Sequence, residues 1–593
     1  MESSAILTES EPSSKRKAPV SNGKEFTLEM LTSMASTATL LPEVCDGRQT
    51  LASLIWDESV MAASVSSSNI PSTTSIAFSI ATASEIAESL LSHTTHHGIQ
   101  LPKSPYVFGL VAACVSFVYG YNYGIIAAAL ISIEEAWQPQ LEDEKTVMLT
   151  MIVSSWLAGA VVGSMALATG RWLDELGRLK SMILACVLFT VGAIACSYST
   201  SPAALIASRF IVGLATAIGY ILPGLYITEM SPASVRGNLG LINQCAGYLG
   251  VAVSYVAGYF IYEAFEIKSH SHVGMFKSCA WLSAIALVAV LFCLPESPRW
   301  LISKGRDRDA LISLRSIYGA QNAVHFTEEF AAIYARLSQT SSTPTARALA
   351  SASLRQSAVT AVLLQVFQTA AGSGFFTFYS AKLFESWGYE GSDALLAAAV
   401  SVLPQMLVFL LISWKSEVWG RRRLLMASEF CMAIVMMALA VLTVSPVHAF
   451  LLFMAIALHR MAFALGLAPI PSVLVAEILP FAYRSRGLAA STALNWLLSF
   501  LISTALGLLI ESPAIMSAVF VAMAMAAIAG YWWVQTCVPE TRGLHLESVD
   551  TAHLMPVLPA DPRERARVSR MNSLLAADSR PLRPPPIPAA KPQ

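Results

Sequence analysis

The chain has 593 residues, of which 55% are hydrophobic and 13% are charged, and its mean hydropathy is +0.58. This composition excludes an ordinary soluble protein and predicts many membrane spans surrounded by a lipid bilayer. A formal net charge of −1 argues against a nucleic-acid partner. The 9 cysteines are scattered, and their spacing predicts neither a metal site nor a disulfide framework.

Residues 1–104 are rich in Ser, Thr and Ala and contain no run that is apolar enough to cross a bilayer. They predict a disordered cytosolic tail, because they also lack the basic start, apolar run and cleavage site of a signal peptide. A transit peptide is the alternative, although Arg is sparse there and Glu is not. Residues 541–593 end in a Pro-rich stretch and predict a second disordered cytosolic tail.

Apolar runs of about one bilayer thickness lie between the tails, in two sets of six. The pattern predicts an all-α polytopic membrane protein of twelve transmembrane helices in two six-helix halves, 105–294 and 356–540. The polar stretch between them, 295–355, has helical periodicity and mixed charge, which predict a cytosolic helical linker. The runs lie near 106–132, 147–169, 181–198, 202–227, 238–262, 275–294, 357–384, 394–414, 424–445, 449–478, 487–510 and 513–537.

The fourth run carries small residues along one surface, and it ends in a charged, proline-containing turn. Small residues allow two membrane helices to approach closely, so this run is expected to pack tightly against a neighbour. The small residues are Gly213, Ala215, Ala217, Gly219 and Gly224.

Three charged markers occur twice in the same order, about 245 residues apart. GRWLDELGRLK is echoed by SEVWGRRRLL, and PESPRW is echoed by PETRG. Glu229 and Glu477 are each followed by a proline three residues later and an arginine seven residues later. The markers indicate a duplicated half, and repeated halves around a midplane site are typical of secondary transporters.

Cations lie on one side of the predicted membrane domain, whereas the loop 133–146 on the other side carries five acidic residues and one lysine. The positive-inside rule therefore predicts that both termini are cytosolic. A plasma membrane is expected, with an organellar membrane as the alternative. The cytosolic cations are Arg171, Arg178, Lys180, Arg236, Lys415, Arg421, Arg422, Arg423, Arg484 and Arg486.

Together the markers resemble the sugar porter family of the major facilitator superfamily over roughly residues 105–545. The GxxxDxxGR motif alone indicates only the superfamily, but PESPRW after the sixth run with PETRG after the twelfth points to sugar porters. The resemblance implies a carrier that works by alternating access, not an enzyme, with no cofactor. It also implies a small-molecule substrate, a monosaccharide or a polyol, as in facilitative hexose transporters.

Charged residues at the cytosolic ends of the helices predict a latch between the two halves. Each exposed ion pair contributes only about 0–1 kcal/mol, but a network can bias an inward–outward equilibrium of a few kcal/mol. The alternative is that these charges only set topology and solvate helix ends. The predicted gate residues are Asp174, Arg178, Glu229, Arg236, Glu296, Arg299, Glu417, Arg421, Glu477 and Arg484.

The resemblance also implies substrate contacts by Gln244, Gln368, Asn495 and Trp496, with Thr369 and Asn122 as further candidates. Amides both donate and accept hydrogen bonds, which suits sugar hydroxyls, and an aromatic face suits the apolar side of a pyranose. The alternative for each is a hydrogen bond between helices.

The chain departs from the family pattern at several of these positions. Thr369 replaces a Gln, Gly374 an Asn, Ser472 a Trp, and Ala464 an acidic or polar residue. The resulting site is expected to be wider and less polar than that of a glucose carrier. A different monosaccharide, a polyol or a non-sugar solute remains open.

One position in the first span predicts whether transport is coupled to protons. Proton-coupled sugar porters usually have Asp where this chain has Asn122, and an amide cannot carry a proton in the accessible range. Facilitated diffusion is therefore expected. The alternatives are a proton symporter, with Glu429 and His459 beside Arg460 as ionisable candidates, and a sensor that binds sugar without moving it.

Overall fold

The computed structural model describes residues 105–137, 145–169, 175–231, 236–318, 329–331, 333–334, 352–445, 449–479, 481–510 and 512–540. Both predicted tails, 1–104 and 541–593, lie outside the described residues. In chain order the helices are α1 (Pro105–Gly124), α2 (Ile126–Trp137), α3 (Lys145–Thr169), α4 (Arg178–Ser197), α5 (Pro202–Met230), α6 (Arg236–Ala264), α7 (Ser271–Cys293), α8 (Pro298–Ser303), α9 (Asp307–Tyr318), α10 (Ala352–Ala370), α11 (Ser373–Ser386), α12 (Gly391–Trp419), α13 (Arg421–Val444), α14 (Ala449–Leu465), α15 (Ile470–Ile478), α16 (Phe481–Leu509) and α17 (Pro513–Cys537).

Twelve helical segments of the described chain are long and apolar enough to cross a membrane, which confirms the predicted number of spans. Three of them consist of two helices each: α1 with α2, α10 with α11, and α14 with α15. Backbone groups in hydrocarbon must be paired within the segment, so an all-α fold is the expected solution for runs of this composition. Two short helices, α8 and α9, lie within the predicted linker.

The break between α10 and α11 is made by Gly372. This residue has φ +69°, and a Cβ built on it would lie 3.0 Å from the sulfur of Met523. A left-handed backbone in close contact with a neighbouring helix favours glycine. The break matters because it separates the C-terminal end of one half-helix from the N-terminal end of the next at the level of the site.

The small residues of α5 pack as predicted. A Cβ on Gly213 would lie 2.9 Å from the Cα of Gly159 in α3, and a Cβ on Gly219 would lie 2.8 Å from the ring of Phe189 in α4. Larger residues at these positions would push the helices apart, because membrane helices associate through such close contact.

Two of the three duplicated markers form the same structure in both halves. Gly177 and Gly420 both have positive φ, +88° and +85°, and each precedes a transmembrane helix. A glutamate from the end of the same half then accepts from the first backbone N–H of that helix: Glu296 from Arg178 and Glu540 from Arg421, both at 2.9 Å. A carboxylate at a helix N-terminus satisfies unpaired N–H groups and the helix dipole.

The halves meet along several pairs of helices. α3 packs on α16, α6 on α12, and α2 on α11. The polar and aromatic residues described below come from helices of both halves, so the candidate site lies between the halves.

Candidate functional site

Three predicted residues, Gln368, Thr369 and Asn495, form one hydrogen-bonded amide cluster. The side-chain N–H₂ of Asn495 in α16 lies 3.1 Å from Gln368 Oε1 and 3.1 Å from Thr369 Oγ1, both in α10. The amide of Gln368 also donates to the carbonyl of Leu467 at 2.9 Å. The cluster lies at the C-terminal end of α10, directly before the break at Gly372.

Gln244 in α6 contacts the opposite half. Its amide donates to the hydroxyl of Ser472 in α15 at 3.1 Å. Ser472 stands where the family pattern has a tryptophan, so the smaller side chain leaves a hydroxyl in reach of Gln244. This bond is polar and partly buried, and a hydroxylated solute could replace either partner.

Trp496, the fourth predicted substrate residue, belongs to an aromatic cluster from five helices. Its ring lies 5.5 Å from Trp156, 5.6 Å from Tyr220 and 6.3 Å from Tyr123. Tyr123 in turn stacks on Trp156 at 5.1 Å and meets Phe378 edge-on at 4.8 Å. The cluster joins α1, α3 and α5 of one half to α11 and α16 of the other.

Asn122 is not joined to the amide cluster by any described hydrogen bond. It is 2% exposed, and its side chain donates to the carbonyl of Val118 one turn earlier in α1. The guanidinium of Arg209 lies beside it, with Nη1 3.5 Å from the Asn122 carbonyl and the carbon of the guanidinium 5.9 Å from the ring of Trp156. Arg209 is fully buried, and its Nε and Nη2 have no hydrogen-bond partner among the described residues.

The ionisable candidates of the second half are buried. Glu429 is 1% exposed, and its Oε1 has no hydrogen-bond partner among the described residues. His459 is 1% exposed and bonds through Nε2 to the carbonyl of Ala371 at 2.9 Å. Arg460 is 3% exposed and donates to the carbonyl of Phe376 at 3.0 Å.

Five predicted gate residues have described side chains, and the contacts described for them lie within one half. Arg178 pairs with Glu229 through two nitrogens at 2.9–3.1 Å, and Ser297 donates to the same carboxylate at 2.5 Å. Arg299 lies 3.9 Å from Glu329 in the linker region. Glu296 and Arg421 take part in the helix-capping bonds described above. Asp174 lies outside the described residues, as do the side chains of Arg236, Glu417, Glu477 and Arg484, so a latch across the halves stays a prediction.

Opposite the charged markers, Glu134 of α2 ties the halves together. It forms ion pairs with Lys382 of α11 and with Lys145 of α3. A cavity of about 250 Å³ lies beside these residues, and Thr150 and Tyr379 are part of its wall. On this side one carboxylate is therefore held between a lysine of each half.

Sequence reasoning missed Tyr123, Trp156, Tyr220 and Phe378 as site residues. Tyr123 directly follows Asn122, and Trp156 lies in the middle of an apolar run. The sequence shows that each of these residues lies within a span. It does not show which helix face each occupies, because their neighbours in the sequence are mostly apolar on every face.

Two six-helix halves that meet around a buried polar and aromatic site define a membrane carrier of the major facilitator fold. The chain belongs to the family described as "Sugar (and other) transporter", whose sequence pattern matches residues 108–553. Transporters of this family are carriers and not enzymes. The predicted family and the predicted class of protein are both confirmed.

Known proteins similar to this chain include two curated transporters and a solved structure. The chain is 29% identical to Plastidic glucose transporter 4 of Arabidopsis thaliana over 74% of its own length and 79% of the relative. It is 26% identical to the Arabinose-proton symporter of Bacillus subtilis over 75% of its length and 94% of the relative. The structure of the proton:xylose symporter XylE bound to 6-bromo-6-deoxy-D-glucose has a TM-score of 0.66 at 24% identity, covering 75% of this chain and 98% of that chain. This last similarity supports the fold.

Proposed function

We propose that this carrier moves a monosaccharide or a polyol by facilitated diffusion, with one central site that opens alternately to each side. The observation that carries the proposal is the amide cluster of Gln368, Thr369 and Asn495 beside the aromatic cluster around Trp496. Neutral amides and a hydroxyl can exchange their bonds to each other for bonds to sugar hydroxyls. An aromatic wall next to them suits the C–H face of a sugar ring.

Gln244 and Asn495 would bind the substrate from opposite halves. Each now donates to a side chain of the second half, and each is only partly buried. A solute that accepts from both amides would connect the two halves and favour the occluded state. Binding that is stronger in one conformation shifts the population toward it.

Alternating access requires contacts that hold each side closed. Glu134 with its two lysines would serve this role on one side, and the predicted latch would serve it at the charged markers, where the described Arg178–Glu229 pair lies within the first half. Orientation by the positive-inside rule assigns the markers and both termini to the cytosol. Protease protection of tagged termini in sealed vesicles tests that assignment.

Uncoupled transport is favoured by Asn122. Its side-chain amide donates to the Val118 carbonyl and can neither take up nor release a proton during the cycle. Proton symport is the second candidate, because the buried Glu429 has no described hydrogen-bond partner and a 26% identical relative is named an arabinose-proton symporter. A non-transporting sensor is the third.

Purified full-length protein in liposomes separates these candidates. Counterflow of radiolabelled monosaccharides and polyols should be stimulated by unlabelled solute inside the vesicles, and an imposed proton gradient should leave the final level unchanged. Binding without counterflow would establish the sensor. Accumulation that a protonophore abolishes would establish the symporter.

The membrane that holds the carrier is proposed to be the plasma membrane, with an organellar membrane as the alternative. A relative named as plastidic supports the alternative. Microscopy of the full chain tagged at its C-terminus decides between them, and N-terminal sequencing of the purified protein would reveal a removed transit peptide.

A further inference from the structure

We propose that a buried cationic cavity next to the break in the seventh span binds the carboxylate of a sugar acid, so that the preferred substrates are uronates or aldonates. This inference deepens the proposed sugar carriage and rests on it. The cavity involves residues that the family resemblance did not assign, chiefly Gln405, His459 and Arg460.

The cavity has a volume of about 50 Å³. By that measure it has room for about three to five water molecules, which is enough for one small polar group but not for a whole hexose. Tyr123 lines it and also belongs to the aromatic cluster, so the cavity adjoins the proposed sugar site. A sugar ring in that site could therefore direct one substituent into the cavity.

Arg460 supplies an uncompensated positive charge. It lines the cavity and is 3% exposed. Its Nη2 bonds to the hydroxyl of Tyr255 at 3.2 Å and to the Phe376 carbonyl, while its Nε has no hydrogen-bond partner among the described residues. No described carboxylate forms an ion pair with it or lines the cavity. A buried charge without a counter-charge is costly, so an anionic ligand would be stabilised there.

The other groups around the cavity also favour an anion. Ser373 is the first residue of α11, a helix of 14 residues, and Thr377 lies one turn further along, so the N-terminus of this helix lies at the cavity. The positive end of a helix dipole favours negative charge, and interrupted helices in carriers commonly present such ends to anionic substrate groups. Gln405 adds a neutral amide that can donate.

His459 indicates that a hydroxyl lies beside the carboxylate. Its Nε2 must carry a hydrogen to bond the Ala371 carbonyl, which leaves Nδ1 of the neutral ring as an acceptor. His459 lines the same cavity, and its buried Nδ1 has no hydrogen-bond partner among the described residues. A donor cation next to an acceptor matches a carboxylate with a neighbouring hydroxyl, as in a sugar acid. A phosphate dianion matches less well, because only one described cation lines the cavity.

Competition in proteoliposomes tests the inference on the full-length protein. The inhibition constants of D-glucuronate and D-gluconate for counterflow should each be about tenfold or more below the inhibition constant of D-glucose. Glucose 6-phosphate, inorganic phosphate and chloride should inhibit no better than glucose. A charge-assisted hydrogen bond accounts for a difference of about 10- to 150-fold between acid and neutral sugar.

Variants of the cavity should remove the acid preference while glucose inhibition persists. Arg460→Gln should bring the inhibition constants for glucuronate and glucose together, and Arg460→Lys should restore part of the difference. Gln405→Glu supplies a carboxylate to Arg460 from within the protein, so it should reject sugar acids without leaving a buried charge unpaired. Gln405→Met is its uncharged comparison: it removes the donor amide but adds no carboxylate, so it should reduce the acid preference less than Gln405→Glu does.

Several results would overturn the inference. Counterflow of glucose that glucuronate and gluconate do not inhibit better than glucose itself would refute the acid preference and leave the proposed carrier intact. Equal inhibition by inorganic phosphate would refute the sugar-acid ligand. An unchanged acid preference in both Arg460→Gln and Gln405→Glu would move the anion site elsewhere. Absence of any sugar counterflow would overturn the inference and the proposed function together.

Discussion

The amide of Gln244 donates to the hydroxyl of Ser472 at 3.1 Å, although the two residues are 228 positions apart. The bond connects α6 of the first half to α15 of the second at the candidate site. The position of Ser472 is one at which the sequence departs from the family pattern. Where the family pattern has a tryptophan, the small side chain of Ser472 accepts a hydrogen bond from the other half.

Gln244→Ala should weaken substrate binding. Loss of a hydrogen bond to a buried partner costs about 1–3 kcal/mol, which raises the dissociation constant roughly 5- to 150-fold. Equilibrium binding to purified protein measures the change. Asn243→Ala is the matched control, because the neighbouring amide accepts from Ser116 within the same half and should leave affinity unchanged. Wild-type affinity in Gln244→Ala would move the site elsewhere.

Gln368 and Asn495 should act as a unit in substrate binding. Asn495 donates to Gln368, so each single alanine variant should already disturb the same polar cluster. The double variant should then cost less than the sum of the two single variants, with a coupling of about 0.5–3 kcal/mol. A double-mutant cycle on the dissociation constant measures this coupling. Strict additivity would contradict a shared site.

Lys382→Gln should open the side of the carrier that Glu134 closes. The pair joins α2 to α11, and hydrogen bonds to charged groups contribute about 1.5–3 kcal/mol. Lys145 still pairs with Glu134, so we expect a more modest effect, about a fivefold faster maleimide modification of a cysteine at Thr150. Lys268→Gln is the control, because its partner Glu263 lies in the same half. An unchanged modification rate in Lys382→Gln would show that the pair is not a gate.

Glu229→Gln should lower the thermal stability of the detergent-solubilised protein. The substitution removes the charge that Arg178 and Ser297 both contact, at a cost of about 1–3 kcal/mol. Asp309→Asn breaks an exposed pair with Arg306 and should cost no more than about 1 kcal/mol. Scanning fluorimetry compares the two melting temperatures. Equal shifts would mean that the Arg178–Glu229 pair behaves as a surface ion pair.

A pH effect is expected from Asn122→Asp. The wild-type carrier should equilibrate its substrate and never concentrate it, whatever the proton gradient. The variant introduces a carboxyl group at a position that is 2% exposed, and burial away from water disfavours its ionised form. Its transport rate should therefore become pH-dependent between about pH 5 and 8. Proton-driven accumulation by the wild type would refute uncoupled transport and direct attention to Glu429 and His459.

The sequence by itself determined the twelve spans, their order, the duplicated halves and the family. Each of these depends on local information. A bilayer demands about 20 apolar residues per helix, and the charged markers lie at helix ends where lipid meets water. The family resemblance also identified Gln368, Thr369 and Asn495, which the structure brings together.

Only the tertiary structure decided which residues of each span face one another. It joined Gln244 to Ser472, placed three aromatic residues around Trp496, and placed Arg460 in the wall of a small cavity. It also showed the side chain of Asn122 bonded to the Val118 carbonyl, with no described hydrogen bond to the amide cluster. Spans that are apolar on all sides carry no periodic signal to mark their inner face. That face is set by close packing between helices that are distant in sequence, where small residues allow contact and buried polar groups must find partners.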